Sequence, residues 1–381
     1  MQTPPALKIF LCGDVMTGRG IDQILPHSCD PRLFEPWIRD ARKYVTLAET
    51  ANGPIKRPVD FKYIWGDALQ LLDDWHPDLR VINLETSITT SRDHWPGKNV
   101  HYRMHPGNTG ALSAAKIDCC VLANNHVLDW GYKGLKETLT TLHRAGIQTT
   151  GAGASVSSAS APAIFDFGAR GRVLVFAWGT PSSGVTSDWA ATSGRPGVNW
   201  IADFSDQYFR AVTRCVNAHR RDGDCVIASI HWGGNWGYTI PADQMTFARR
   251  LIDEGGIHIV HGHSSHHPKA FEIYRDQPIF YGCGDLLNDY EGIAGHEEFR
   301  SHLTMMFMVE VDTTSKKVVR LGMKPMRIRN FQLQHASSSE AAWLLDVVYD
   351  VTKGVTHVRS AEETGRDPER GGDRGQHIPG S

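Results

Sequence analysis

The run Cys119-Cys120-Val121-Leu122-Ala123-Asn124-Asn125-His126-Val127-Leu128-Asp129-Trp130-Gly131 changes character at a single position. An apolar stretch gives way at Asn124 to two amides, an imidazole and, three residues on, a carboxylate. A short apolar run with an abrupt polar stop reads as a buried strand whose end carries chemistry. Behind it, Gly134–Ala145 places Leu135, Leu139 and Leu142 at helical spacing, and Gly146 marks the stop.

The same grammar recurs outward along the chain. Leu7–Cys12 leads into Gly13-Asp14, Leu79–Leu84 into Glu85, and Cys225–Ile230 into His231-Trp232-Gly233-Gly234. Ile257–Val260 leads into His261-Gly262-His263, and Pro278–Tyr281 into Gly282-Cys283-Gly284-Asp285. Helical spacing returns in Asp206–Arg221 and Pro241–Glu254. Strands alternating with helices predict an α/β fold, and open α/β sheets place their sites at strand ends. A late hairpin is expected from His302–Val311 and Lys317–Met323, with a helix over Ser338–Val351. The Pro- and aromatic-rich residues 26–78 read as an insert or lid, and 180–200 as a long loop. Together these predict one domain over 1–358, followed by a charged, Gly-rich tail, 359–381, expected to be disordered.

Composition narrows the function. The 381 residues carry 40 basic and 42 acidic side chains, a formal charge of −2, so the basic footprint of a nucleic-acid or anionic-membrane binder is missing. Seven cysteines without a CxxC, several inside apolar runs, read as buried thiols and not as a disulfide framework. The apolar stretch before Gly13 is too short for a signal segment or a membrane span, which predicts a cytoplasmic protein.

The strand ends deliver a mixed donor set: carboxylates at Asp14 and Glu85, an amide at Asn125, and imidazoles at His231, His263 and His266. Such oxygen and nitrogen donors suit Ca, Mn, Zn or Fe, as one or two divalent ions, with no organic cofactor called for. His126 with Asp129 has the form of an acid–base pair, because a carboxylate beside an imidazole fixes its tautomer and raises its basicity. Asp285 and Asp289 stand ready to serve a second histidine in the same way, and Asp14 is a further candidate for that role. Of the eleven tryptophans, Trp232 and Trp236 adjoin His231 and are the foremost candidates to line a peptide-binding cleft, although large aromatics more often serve as core.

These segments in this order (GDVM 13–16, NLE 83–85, NNHVLDWG 124–131, HWG 231–233, GHSSHH 262–267 and YGCGDLLND 281–289) resemble the CapA/PgsA poly-γ-glutamate capsule-synthesis family of the calcineurin-like metallophosphoesterase superfamily. The resemblance implies a four-layer αββα sandwich with a metal site at one edge. Two departures bear on chemistry: Met16 stands where the superfamily has the His of Asp-x-His, and Glu85 where it has a bridging Asp. Both imply a weakened first metal position. The resemblance extends to lasso-peptide epimerases of the MslH type, which invert the carboxy-terminal residue of a peptide. It therefore implies a metal-dependent acid–base enzyme on a peptide substrate, with His126, Asp129, His231, Asp14 and Asp289 as catalytic candidates. A metallohydrolase of a poly-γ-glutamate or phosphoester substrate and a polymer-binding capsule-assembly protein are the alternatives.

Overall fold

The computed structural model describes residues 6–355 together with the two-residue strand Ile378–Pro379, which pairs with Arg320 and Leu321. The rest of the tail expected to be disordered lies outside the described residues. Strands β1 (Leu7–Val15), β2 (Leu79–Leu84), β3 (Cys119–Val121) and β4 (Gln148–Thr150) lie side by side and parallel. A second sheet contains β5 (Ala163–Asp166), β6 (Arg172–Gly179), β7 (Cys225–His231), β8 (Ile259–His263), β9 (Phe271–Tyr274) and β10 (Gln277–Phe280), in the order β9-β10-β8-β7-β6-β5. The first sheet is completed beyond β1 by β11 (Asp285–Leu287) and by the antiparallel β12 (Leu303–Val311), β13 (Val318–Arg329) and β14 (Gln332–His335).

The side-chain period of two in β6 sets the layers. Val173, Val175 and Ala177 pack into the core shared with β1 and β2, while Leu174, Phe176 and Trp178 turn the other way. Those outward residues meet Phe209, Val212 and Val216 of helix Asp206–Asn217 and Phe247, Ala248 and Leu251 of helix Ala242–Asp253. On the far side, Val45, Ala48, Leu72, Leu135 and Leu142 bring helices Arg42–Asn52, Ala68–Trp75 and Gly131–Arg144 onto the first sheet. The result is the αββα sandwich. Each of these fully buried aliphatic side chains contributes roughly 1.5–3 kcal/mol relative to exposure.

The segment 26–78, expected as an insert or lid, is built into this core. Tyr44, Ile64 and Trp65 are almost fully buried, and Trp65 Nε1 donates to Ala111 O at 2.7 Å. Of its aromatics, Tyr44 and Trp65 are core residues, while Trp37 is exposed. The cysteines are free, and all but Cys215 are buried. Among the described residues no helix is long and apolar enough to cross a membrane.

Register then places the chemistry. Asp14 of β1 lies opposite Asn83 of β2 on one side and Asp285 of β11 on the other. His231 and His263, the last residues of β7 and β8, are register partners. Gly13 has no room for a side chain: a Cβ there would sit 1.6 Å from Gly284 O, so glycine lets β1 and the loop before β11 close on each other.

Candidate metal centre

Both sheets end at one point. Among the described residues, Asp14, His231 and His263 form the group able to hold a metal ion, each offering an atom within 4.8 Å of the others. The two imidazoles meet through Nδ1 at 2.8 Å, and His263 Nδ1 stands 3.7 Å from Asp14 Oδ1. His231 Nε2 lies 3.3 Å from Asn125 Oδ1 and 3.6 Å from Glu85 Oε1. Asp14 is oriented by Asn83 Nδ2 at 2.7 Å and by the backbone N–H of Ser264 at 3.1 Å. Glu85 Oε2 is buried with no hydrogen-bond partner. An orphaned carboxylate oxygen beside converging imidazoles fits a divalent cation, since an uncompensated buried polar atom costs roughly 1–3 kcal/mol. Asp14, Glu85, Asn125, His231 and His263 are the residues that would hold it.

Electrostatics agree. Burial, reinforced by Asp285, pushes Asp14 up to about 7. Burial and the neighbouring Asp14 push Glu85 well above the usual carboxylate range. Burial lowers His231 and His263 far below the ordinary imidazole value, so both are neutral and have lone pairs to give. The carboxylates therefore hold protons that an incoming cation must displace. Metal affinity is expected to weaken as pH falls through about 7, where Asp14 takes up its proton. Titration calorimetry in buffers of different ionisation enthalpy will show proton release at pH 6 that shrinks by pH 8; pH-independent affinity would contradict this.

A hydrogen-bond relay fixes which nitrogen of His263 faces the centre. His261 Nε2 lies 2.7 Å from Cys12 O, which can only accept, so that nitrogen carries the proton. His261 Nδ1 is then a lone pair and takes the proton of Ser229 Oγ at 3.0 Å. Ser229 Oγ in turn accepts from His263 Nε2 at 2.9 Å, leaving His263 Nδ1 unprotonated. Ser229→Ala is expected to weaken metal binding about 10- to 100-fold with the fold intact, measured by competition with a chelating dye. Unchanged affinity would remove the relay from the account.

Two imidazole–carboxylate pairs flank the donors. His126 Nδ1 is 2.7 Å from Asp129 Oδ2, and its Nε2 is 3.7 Å from Glu85 Oε1. Asp129 is fully buried and also accepts from Tyr102 N at 2.6 Å and from Lys98 Nζ. Lys98 additionally reaches Asn125 O and stands 3.0 Å from His126 Nδ1. Burial and the Lys98 charge hold His126 well below the ordinary imidazole range. On the other flank, His266 Nδ1 is 3.0 Å from Asp285 Oδ1. Burial alone would lower His266, but the Asp285 and Asp14 carboxylates together outweigh it and the net shift is upward.

His266, read as a metal donor, pairs through Nδ1 with Asp285 and, like Glu85, stands outside the Asp14–His231–His263 group. Other expectations are corrected. Asp289, read as a catalytic partner, serves no histidine among the described residues: Arg19 clasps it from Nε at 3.2 Å and from Nη2, and Gly20 N donates to it at 2.9 Å. A buried guanidinium wins that carboxylate because leaving either charge unpaired would cost several kcal/mol, about 3–5. Trp232 is a core residue, 1% exposed, with its Nε1 donating to Tyr281 O. Trp236 does reach the site, 5.2 Å from the His266 ring. Met16 is buried and meets Tyr290 OH at 3.6 Å. Sequence reading missed Lys98, Ser229 and His261 as parts of the site. Lys98 sits in a loop with no periodicity to mark it; Ser229 and His261 lay in plain view as polar residues within buried strands.

The layers, with strand-end donors drawn from both sheets, define the class: an αββα sandwich carrying a candidate metal centre. The family follows from sequence. A model of the bacterial capsule synthesis protein PGA_cap matches residues 8–290, and the chain belongs to that family. It is 47% identical over 351 residues to a probable polyglutamine synthesis accessory protein of Mycobacterium tuberculosis, covering 92% of each chain. It is 24% identical to the capsule biosynthesis protein CapA of Bacillus anthracis, over 74% of this chain and 60% of that one. Among solved structures, the calcineurin-like phosphoesterase YfkN from Bacillus subtilis aligns over 92% of this chain and 99% of that one, at 12% identity and a TM-score of 0.43.

Proposed function

We propose that this chain is a metal-dependent acid–base enzyme acting on a peptide, and that its reaction is epimerisation at the Cα of a carboxy-terminal residue, as in lasso-peptide maturation. The observation that carries this reading is the presence of two imidazole–carboxylate pairs, His126–Asp129 and His266–Asp285, beside one donor cluster. Inverting a stereocentre needs one group to take the Cα proton and another to return one. The two environments push the imidazoles apart, His126 down and His266 up, which supports His126 as the base and His266 as the acid. Asp129 holds the proton of His126 on Nδ1, so Nε2 keeps the lone pair that would abstract. A divalent ion held by Asp14, Glu85, Asn125, His231 and His263 would supply positive charge for the substrate carboxyl group as its α-carbon gives up the proton. Burial of Asp14, Glu85, His126, His231 and His263 keeps water from competing for it. A peptide is the partner this reading needs; nucleic acid and membrane have no part in it, and a cytoplasmic setting suits it.

A second reading is favoured by the family and by the names of its relatives: a capsule-type accessory protein that binds, or a hydrolase that cuts, a poly-glutamate or phosphoester substrate. Incubating the metal-loaded chain with a peptide in deuterium oxide separates the three. Deuterium at the terminal Cα together with the D-residue supports epimerisation. Released glutamate or phosphate without exchange would replace it with hydrolysis. Polymer binding that persists in His126→Ala and His231→Ala, with no turnover in the wild type, would replace it with the accessory role.

A further inference from the structure

Two tyrosine hydroxyls lie between the imidazole–carboxylate pairs, and the reaction proposed above gives them no task. The Tyr102 ring stands edge-on to His126 at 4.4 Å, and the Tyr290 ring edge-on to His266 at 5.2 Å. Their hydroxyls meet at 3.2 Å. Each tyrosine is also tied to the carboxylate of its own pair. Tyr102 N donates to Asp129 Oδ2 at 2.6 Å. Tyr290 N donates to Asn288 Oδ1 at 3.1 Å, and Asn288 Nδ2 in turn donates to Asp285 Oδ2 at 2.9 Å. Arg19, clamped on Asp289, lies 4.6 Å from the centre of the Tyr102 ring and 5.7 Å from that of Tyr290, bracing both.

The proton of each hydroxyl can be followed. Burial raises both phenols well above their ordinary value, so both stay protonated at neutral pH. Tyr102 spends its proton on Tyr290 OH. Tyr290 sends its own to Met16 Sδ, at 3.6 Å. A thioether is a weak acceptor, so this donor is parked and not satisfied. A carbonyl or carboxylate oxygen brought within reach would win it at little loss, because the contact given up is weak. Met16 stands two residues beyond Asp14, which holds the parked hydroxyl close to the donor cluster. Exposure selects between the two phenols: Tyr102 is 2% exposed, whereas Tyr290 is only half-buried.

On the peptide reading given above, we infer that Tyr290 is a substrate-positioning residue, whose hydroxyl leaves Met16 and donates to an oxygen of the terminal residue held between His126 and His266. The probe is acetyl-alanyl-alanine, a short peptide with a free carboxyl end, titrated by ligand-observed NMR into the zinc-loaded full chain. Tyr290→Phe is expected to weaken its binding about 10-fold or more, with thermal midpoint and zinc content unchanged. Met16→Leu removes only the parking acceptor and should bind the probe as tightly as wild type. A purely structural Tyr290–Met16 contact predicts the reverse: both variants lose thermal midpoint alike, and neither changes affinity. That result, or equal affinity of wild type and Tyr290→Phe, absence of binding by both included, overturns the assignment. Deuterium exchange at the terminal Cα tells the two failures apart. Exchange that continues in Tyr290→Phe with wild-type kcat and KM sinks the role of Tyr290 alone. Binding that depends on Tyr290, with no exchange, sinks epimerisation alone.

Discussion

Replacing His231 by alanine is expected to abolish stoichiometric metal binding and turnover while leaving the chain folded. His231 is fully buried at the end of β7, and its two ring nitrogens face His263, Asn125 and Glu85. Removing it takes away a donor and leaves Glu85 without its nearest imidazole. Loss of a residue that merely orients a ligand costs roughly 10- to 100-fold in affinity, so loss of a ligand should exceed that. The fold should survive, because the strand keeps its register with β6 and β8 through Ile227, Ala228 and Ile230. A destabilisation of roughly 1–3 kcal/mol is expected for the partner groups left behind. Metal analysis after dialysis, with calorimetric unfolding in parallel, checks both halves. A variant that keeps its metal would mean the donors have been misassigned.

The second large effect separates proton transfer from metal holding. His126→Ala is expected to keep the metal and lose turnover by about 10²- to 10⁴-fold, the range for a positioned general base. His126 touches the donor cluster only at its edge, through Nε2 at 3.7 Å from Glu85, while its other nitrogen is committed to Asp129. Turnover should fall with little change in KM, because the imidazole acts on the reacting proton and not on substrate affinity. Full activity in this variant would remove His126 from the chemistry; loss of the metal along with activity would make it a ligand instead.

Much of this geometry was legible in the chain itself. Each apolar run that stopped at a reactive residue became a strand, and the stops at Asp14, Glu85, Asn125, His231 and His263 did meet, since strand ends of two packed sheets share an edge. The alternation of strands and helices pointed to the α/β class, and the αββα layering was what the resemblance to the CapA/PgsA family implied. What the chain could not announce was how local pairing would divide those groups. His266 and Asp289 both looked available, but Asp285 captured the first and Arg19 the second. Arg19 adopts a left-handed backbone (φ 46°) and reaches 270 residues along the chain, and no local pattern predicts such a contact. Ser229 and His261 were visible in the sequence but carried no assigned role. They sit inside apolar strands, where a polar residue reads as noise until its partners are known. Of the two cleft candidates beside His231, Trp232 took the other course open to a large aromatic and fills the core.

The account stands on two sheets presenting their ends to one cation. Crystals of the purified chain grown with manganese, measured for anomalous scattering, test this directly. A single strong peak bonded to His231, His263 and a carboxylate of Asp14 or Glu85 is the predicted result. A peak elsewhere, or none at that junction in protein shown to contain the metal, would contradict it.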